Sequence, residues 1–326
     1  MRNKILSAAL GIVIVGVFAA AAVDASAAGS TASARSKLTI MAPAAPGGGW
    51  DGFGREAQQG LRRAGIVNNA QVINVPGAGG TIGLSKLVQM DGRDDILMVT
   101  GAVMIGASAL SKTPETLADS TPIARLADDY SVLVVPAASP YHSLPEFIEA
   151  WRKNPGGHAI AGGSLGSIDH LLSGLLGRTV GIEPHTVNYV AYSGGGEVLA
   201  SMLSNTAAAG ISGYNEFRDQ IEAGTLRALG ISSAERLEGV NVPTFIESGV
   251  DVEMSNWRGY VAPPGIGEEA RAELIAIVTE LHGTSEWRDT LHRNNWSDSF
   301  STGEEFDRFL LEEDARVRGL ITELGL

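Results

Sequence analysis

The sequence predicts an α/β fold, and three observations carry that prediction. Short β-branched or apolar runs of strand length alternate with stretches of helical periodicity, the pattern of strands layered with helices. Glycine-rich turns separate them, with 41 glycines in 326 residues. Cysteine is absent, so no disulfide framework, cysteine zinc site or thiol nucleophile shapes the chain. Taken in order, strands are expected at Leu38–Met41, Gln71–Val75, Ile96–Val99, Val132–Val135, Ala159–Ala161, Thr186–Val190, Ala207–Ile211 and Leu226–Ile231, each a compact apolar or β-branched run. Helices are expected at Phe53–Ala64, Ile82–Met90, Leu144–Trp151, Ile168–Leu176, Glu197–Leu203 and Tyr214–Ala223, where apolar residues recur at helical spacing. From Glu268 onward the chain reads as helical throughout, first an amphipathic Glu268–His282 and then a charged helix opening at Gly303. Alternation of this kind implies mostly parallel sheets.

Composition sets the outer bounds. Hydrophobic residues make up 44% and charged residues 19%, which is globular, and the length suits about two domains. The formal charge of −13 argues against a partner tracked through its phosphates, since nucleic-acid binding needs a net basic face. It leaves room for a small anion, because a local pocket can oppose the global charge.

The N-terminus reads as an address. Arg2 and Lys4 precede an apolar stretch from Ile5 to Val23, and small residues follow at Ala25-Ser26-Ala27-Ala28. This is the pattern of a secretory signal peptide spanning residues 1–28, with cleavage after Ala27 or Ala28. The competing reading is an uncleaved anchor, since the run nearly reaches spanning length. No other stretch is membrane-spanning in character. The product is expected to be periplasmic or secreted, without a lipid-anchor cysteine.

One device recurs: a strand, a glycine-rich loop, then a helix N-terminus. It occurs at PAAPGGGWDGFGR, NVPGAGGTIG, AGGSLGSIDH and YSGGGEVL. A helix start offers unpaired N–H groups and the positive end of the helix dipole, and glycine lets a ligand approach the backbone. Any one loop is an ordinary strand-to-helix turn; four of them in an acidic chain point to a small anion held by main chain and hydroxyls.

Other motifs weigh less. Gly162–Gly166 fits G-x-S-x-G, with a strand before and a helix after, so Ser164 is a candidate nucleophile of a secreted serine hydrolase. No HGGG-type segment accompanies it, and His282 or His292 would have to serve as the base. Gly77–Gly83 reads G-x-G-x-x-x-G, one residue out of step with a dinucleotide fingerprint. The six histidines form no H-x-x-x-H or H-E-x-x-H pair, so neither metal nor cofactor is expected. Asp51 suits a helix N-cap or a gate at a pocket mouth. Trp50 suits a pocket wall or interlobe packing. His170 reads equally as a carboxylate donor or as a polar residue of a first helical turn. Arg258, in SNWRGYVAPP, offers a bidentate carboxylate grip or, with slightly more weight, a salt bridge.

Together these segments resemble the Bug-type periplasmic solute-binding proteins of the tripartite tricarboxylate transporter family. The carrying stretches are APAAPGGGWD, NVPGAGGTIG, STPIARL, GGSLGSIDHL, IEPHTVNYVAYSGGGEVLASML, AGTLRALGIS, VPTFIESGVD and WRGYVAPP, in that order. The first and fifth look most like the tricarboxylate branch. Val75 stands where many members carry arginine, and DGRDDILMV replaces the usual P-D-G-Y-T-L-L. The resemblance implies a two-lobed fold of the type II periplasmic-binding-protein kind, with mostly parallel sheets and a ligand cleft between lobes. It places residues 37–133 with 230–326 in lobe 1 and 134–229 in lobe 2. It implies capture of a small di- or tricarboxylate, citrate-like, and delivery to membrane permease subunits, with no chemistry performed. The expected ligand contacts are Gly48, Gly49, Trp50, Asp51, Gly79, Ser164, Gly166, Ser167, His170, Tyr192 and Arg258, in a chain expected to act as a monomer. The same fold binding an aromatic acid or amino-acid derivative is the third reading beside the hydrolase.

Overall fold

Strand β4 (Thr121–Pro136) is sixteen residues long and serves two sheets. Its first part, Thr121–Tyr130, pairs with β9 (Ser255–Ala262), and its last part, Ser131–Pro136, pairs with β7 (Ala209–Gly213) and β8 (Leu226–Ile231). The computed structural model describes residues 34–326; the expected signal peptide lies outside the described residues. On one side of β4 the strands run β2 (Asn69–Asn74), β1 (Lys37–Ala42), β3 (Ile96–Gly101), β9, β4; on the other they run β4, β7, β5 (Ile160–Gly162), β6 (Tyr189–Ala191). The architecture is α/β, with helices α1 (Gly49–Arg63), α2 (Thr81–Val88), α3 (Ala102–Ser111), α4 (Leu144–Lys153), α5 (Ile168–Thr179), α6 (Gly195–Leu203) and α7 (Tyr214–Glu222) set between strands. Helices α8 (Glu268–His282), α9 (Ser285–Arg293) and α10 (Gly303–Leu324) complete the chain.

Three expectations are corrected. The sheets are mixed rather than mostly parallel: β1 runs parallel to β2 and β3, and β5 to β6 and β7, but β9 and β4 run antiparallel to their neighbours. The segment after Glu268 is not all helical, because β10 (Ser297–Thr302) pairs antiparallel with β4. Its sequence, SDSFST, lacks a strand's apolar alternation; it is an edge strand, placed by pairing rather than propensity. Residues 121–131 escaped notice as strand for a similar reason. Arg125, Asp128 and Asp129 interrupt the apolar run, yet most of β4 is buried and Arg125 pairs with Asp128 at 2.6 Å.

The elements that position the loops follow simple patterns. Helix α1 buries Trp50, Phe53, Ala57 and Leu61, one stripe at helical spacing. Helix α3 begins directly after β3 and buries Met104, Ile105, Gly106 and Ala107. Helix α10 packs on α3, α5 and β4, so one rod touches elements attached to both halves of the sheet; Leu324 abuts Gly174 of α5. A second, smaller core gathers Val132, Val134, Val198, Met202, Phe217, Leu226 and Ile231.

The larger core is centred on Phe53, fully buried. Its ring lies 5.4 Å from Tyr260, 5.6 Å from Trp287 and 5.4 Å from Trp296. Replacing Phe53 by Ala leaves a cavity among three rigid rings, and the expected loss is about 3–5 kcal/mol. Urea unfolding should show a lower midpoint; an unchanged midpoint would mean that this cluster does not carry the core.

Candidate functional site

The glycine loops expected to grip an anion are largely occupied by the protein's own carboxylates. In the first loop Gly48 is the N-cap of α1 and Asp51 is the third helical residue. Asp51 is therefore not the N-cap expected. It reaches back to accept the Gly47 N–H at 2.8 Å, and accepts from Arg55 and Asn74, each at 2.8 Å. Burial opposes its ionisation, but the bonds from Arg55, Gly47 and Asn74 outweigh burial and hold its pKa below the usual carboxylate value. At the start of α5 Asp169 accepts the Gly163 N–H at 2.9 Å, and at α6 Glu197 accepts the Ser193 N–H at 2.8 Å. Each acid sits in a first turn, where the helix dipole favours it. The loop Pro76–Gly80 carries no such acid; Gly80 N–H closes on Gly77 O, and Thr81 Oγ1 donates to Ala78 O.

Some donors remain free. Gly48 N–H is used by Ala45 O at 3.1 Å, so it does not grip a ligand as expected. The N–H groups of Gly49 and Trp50 precede the first helical bond, Gly52 to Gly48, and have no partner among the described residues. Trp50 is buried, its ring packed where a side chain on Gly80 would stand. Gly79, at φ +61°, is hemmed by Ala107, and Ser164 Oγ lies 3.6 Å from its Cβ position. The Ser164 hydroxyl has no hydrogen-bond partner among the described residues. Beside it the main chains of Gly106 and Gly166 meet so closely that a Cβ on Gly166 would stand 2.7 Å from Gly106 O. The Gly47–Trp50, Gly77–Gly80 and Gly163–Gly166 loops thus converge on one seam between the two halves of the sheet.

The remaining candidates fall into supporting roles. Ser167 is buried and caps α5 by accepting the His170 N–H at 3.3 Å, which leaves its O–H to donate elsewhere. His170 Nδ1 accepts the Gly166 N–H at 3.1 Å, and its ring lies 4.6 Å from Tyr189. Burial lowers its pKa, and a ring that accepts at Nδ1 keeps its proton on Nε2, so it supports the loop as a neutral imidazole. Tyr192 packs against the smaller core. Ser164 touches no histidine among the described residues, so no nucleophile–base pair forms. Two surface hollows, one beside Tyr141 and His158 and one beside Tyr214 and Arg227, include none of the glycine loops.

Arg258 takes its salt-bridge reading. It is buried on β9, donates from Nη2 to Asp129 at 2.5 Å and from Nη1 to Gly49 O at 2.6 Å. Around it stand two further carboxyls that sequence reasoning missed. Asp169 accepts from Ser131 Oγ at 3.1 Å, and Glu216, in the first turn of α7, accepts from Ser212 Oγ. Burial raises all three acids: Asp129 despite Arg258, Glu216 despite Ser212, and Asp169 to about 7. Two adjacent acids in an apolar strand, Asp128-Asp129, are the sequence signal for the Asp129 end of this cluster.

The comparisons with known proteins agree on one family. The family described as "Tripartite tricarboxylate transporter family receptor" matches residues 54–326. The protein BugT of Bordetella pertussis is 27% identical over 321 residues, 96% of this chain and 97% of BugT. A solved TctC solute-binding protein from Polaromonas is 25% identical, covers 88% of this chain and 98% of its own, and superposes with a TM-score of 0.67. An R. palustris structure with adipate is 22% identical with a TM-score of 0.81, covering 89% of this chain and 97% of its own. MatC of Rhodopseudomonas palustris, solved with malate, is 23% identical with a TM-score of 0.74, over 87% and 98%. These neighbours share the two-lobed fold, and the family consists of solute-binding receptors, not enzymes.

The buried acids give the folded state a proton affinity that the unfolded chain lacks. With Asp169 raised to about 7 from 3.8, folding is favoured by its proton below about pH 4 and loses that advantage as pH rises to about 7. Asp169→Asn should therefore flatten the stability–pH curve across that window. The check is a set of urea midpoints from pH 4 to 8; an unaltered slope would place its ionisation near that of an ordinary aspartate.

Proposed function

We propose a function from the premise that this chain belongs to the tripartite tricarboxylate transporter receptor family: it is an extracytoplasmic receptor that captures a small di- or tricarboxylate, citrate-like in class, between its lobes and delivers it to membrane permease subunits. Lobe 1 comprises residues 37–133 with 230–326, and lobe 2 residues 134–229, with β4 and the end of β8 as the crossings. The signal peptide, residues 1–28, directs export, and the mature protein works as a monomer in the periplasm. No helix among the described residues is long and apolar enough to cross a membrane.

The observation that carries this reading is the set of unpaired donors at the seam. Gly49 and Trp50 N–H lie on one side of it and the Ser164 hydroxyl on the other. A carboxylate between them bonds to both lobes only when they are together, so the ligand favours the closed state. Relatives support the class: malate and adipate occupy neighbours of the same fold.

The test is thermal unfolding of the protein against mono-, di- and tricarboxylates, aromatic acids and amino acids. A true ligand at a hundred times its dissociation constant adds about 2.7 kcal/mol of stability. Ser164→Ala should weaken binding about ten- to a hundredfold, the loss of one hydrogen bond to a charged group. A midpoint indifferent to every acid would sink the proposal, and ester turnover abolished in Ser164→Ala would restore the hydrolase.

A further inference from the structure

Helix α9 ends in a way that leaves two carbonyls for another part of the chain. Its last turn closes on itself: Asn294 N–H bonds to Thr290 O at 3.1 Å, Asn295 N–H to His292 O at 3.2 Å and Trp296 N–H to Leu291 O at 2.9 Å. Asn295 stands at φ +48°, a left-handed turn that asparagine tolerates. The carbonyls of Arg293 and Asn294 accept none of these bonds, and acceptors left over at a helix end call for donors. The donors come from α7, on the other half of the molecule. Asn215 Nδ2 donates to Asn294 O, and Arg218 Nη1 donates to Arg293 O at 3.0 Å. Asn295 Nδ2 donates back to Asn215 Oδ1 at 3.5 Å. Arg218 also brings a cation to the negative end of the α9 dipole.

Both ends of this bridge are held firmly. On α7, Tyr214 and Phe217 are buried one helical turn apart, which leaves Asn215 and Arg218 on a common neighbouring face. On the other side, Trp296 follows the bridging residues directly, with its ring 5.4 Å from Phe53 and 5.3 Å from the Arg258 guanidinium. Arg293 donates to Glu56 of α1 at 2.8 Å. The acceptors therefore belong to the same body as α1 and β9.

A second bridge between the halves differs in kind. Helix α10 meets α5 through the buried Leu324, which abuts Gly174, and through Arg178 with Glu323. Parting α10 from α5 exposes apolar surface, which water disfavours. Parting α9 from α7 exposes carbonyls, an amide and a guanidinium, and water replaces most of what their hydrogen bonds supply.

We propose that Asn215 and Arg218 form a polar latch with the end of α9, that the cleft opens on this side while α10 stays seated on α5, and that these two positioning residues set solute affinity without touching solute. The inference rests on the two-lobe division of the proposed function and is independent of which acid is bound. The latch supplies part of the closed state and the solute supplies the rest. Apparent affinity scales with the fraction of the chain already competent to bind, so weakening the latch lowers affinity for every solute by one factor and leaves the preference among solutes unaltered.

The chain has no cysteine, so spin labels can be placed at will. One labelled pair, Glu222→Cys with Asp289→Cys, spans α7 and α9; a second, Thr179→Cys with Glu312→Cys, spans α5 and α10, all four positions being exposed. Without solute, Asn215→Ala with Arg218→Ala should raise the ratio of open to closed distances across the first pair about ten- to thirtyfold, the order expected for two or three hydrogen bonds exchanged with water. The second pair should stay unchanged. Arg218→Lys keeps a cation at the helix end and should retain most of the closed population. Asn215→Asp, close in shape to asparagine, sets a carboxylate against Asn294 O and should open the first pair as alanine does. Calorimetry with citrate, malate and adipate should show each acid that binds weakened by a common factor. First-pair distances indifferent to these variants but shortened by one of the acids would overturn the latch and leave the proposed function standing. Distances that move with neither the variants nor any acid would overturn both.

Discussion

The buried pair of Asp129 and Arg258 is the constraint around which the centre of the molecule is arranged. It sits where β4 passes from one set of partners to the other: Asp129 pairs with Asn256 of β9, and two residues later Ser131 pairs with Gly213 of β7. Two charges taken from water are costly unless geometry and further hydrogen bonds offset the loss. Here the Arg258 guanidinium also holds Gly49 O and lies 5.3 Å from the Trp296 ring, while Asp129 takes Tyr130 N–H at 2.9 Å. The start of α1, strand β9 and the bend of β4 are thereby fixed to one another. Loss of either partner would leave a buried charge uncompensated, so these three elements move as a unit or not at all.

The same economy governs the loops. A glycine-rich turn entering a helix exposes N–H groups, and this chain fills several of them with its own first-turn acids: Asp51 at Gly47, Asp169 at Gly163 and Glu197 at Ser193. Those carboxylates stiffen the loops and remove donors that a solute would otherwise use. Among the described residues, the donors left free at the seam include Gly49 and Trp50 N–H, the Ser164 hydroxyl and Arg258 Nε.

How much of this was legible in the sequence follows from where each signal resides. Strand Leu226–Ile231 and the helices beginning at Leu144 and Ile168 were readable to the residue or nearly so at their starts, because apolar periodicity is local. The expected family is the one the chain belongs to, since glycine-loop motifs survive as strings. Strands β10 and the first part of β4 were not readable: their state is imposed by partners far along the chain. Helix α3, AVMIGASALS, is apolar nearly all round and offers no period against a polar face. The bonds that Ser167, His170 and Gly48 make inside the protein were not readable, because a sequence shows which groups can bond, not which are already bonded. Glu216 was invisible for the converse reason, since only the fold brings it to the pair of Asp129 and Arg258.

Closure itself is constrained by the backbone. Gly106 and Gly166 approach so closely that a side chain on either meets main chain rather than a movable neighbour. Gly166 stands at φ +82°, a conformation costly for other residues. Two glycines at one contact let α3 and the Ser164 loop meet without intervening side chains, which brings the Ser164 hydroxyl to Gly79 and leaves no room for a large solute at that point. In the proposed complex the solute lies mainly towards Trp50 and Arg258, where the other free donors stand, and meets the Ser164 hydroxyl at one edge. A glycine contact of this kind supplies little attraction of its own, so the proposed closed state depends on what the solute adds. That is the condition a receptor needs: lobes that fit when together, held together by the cargo.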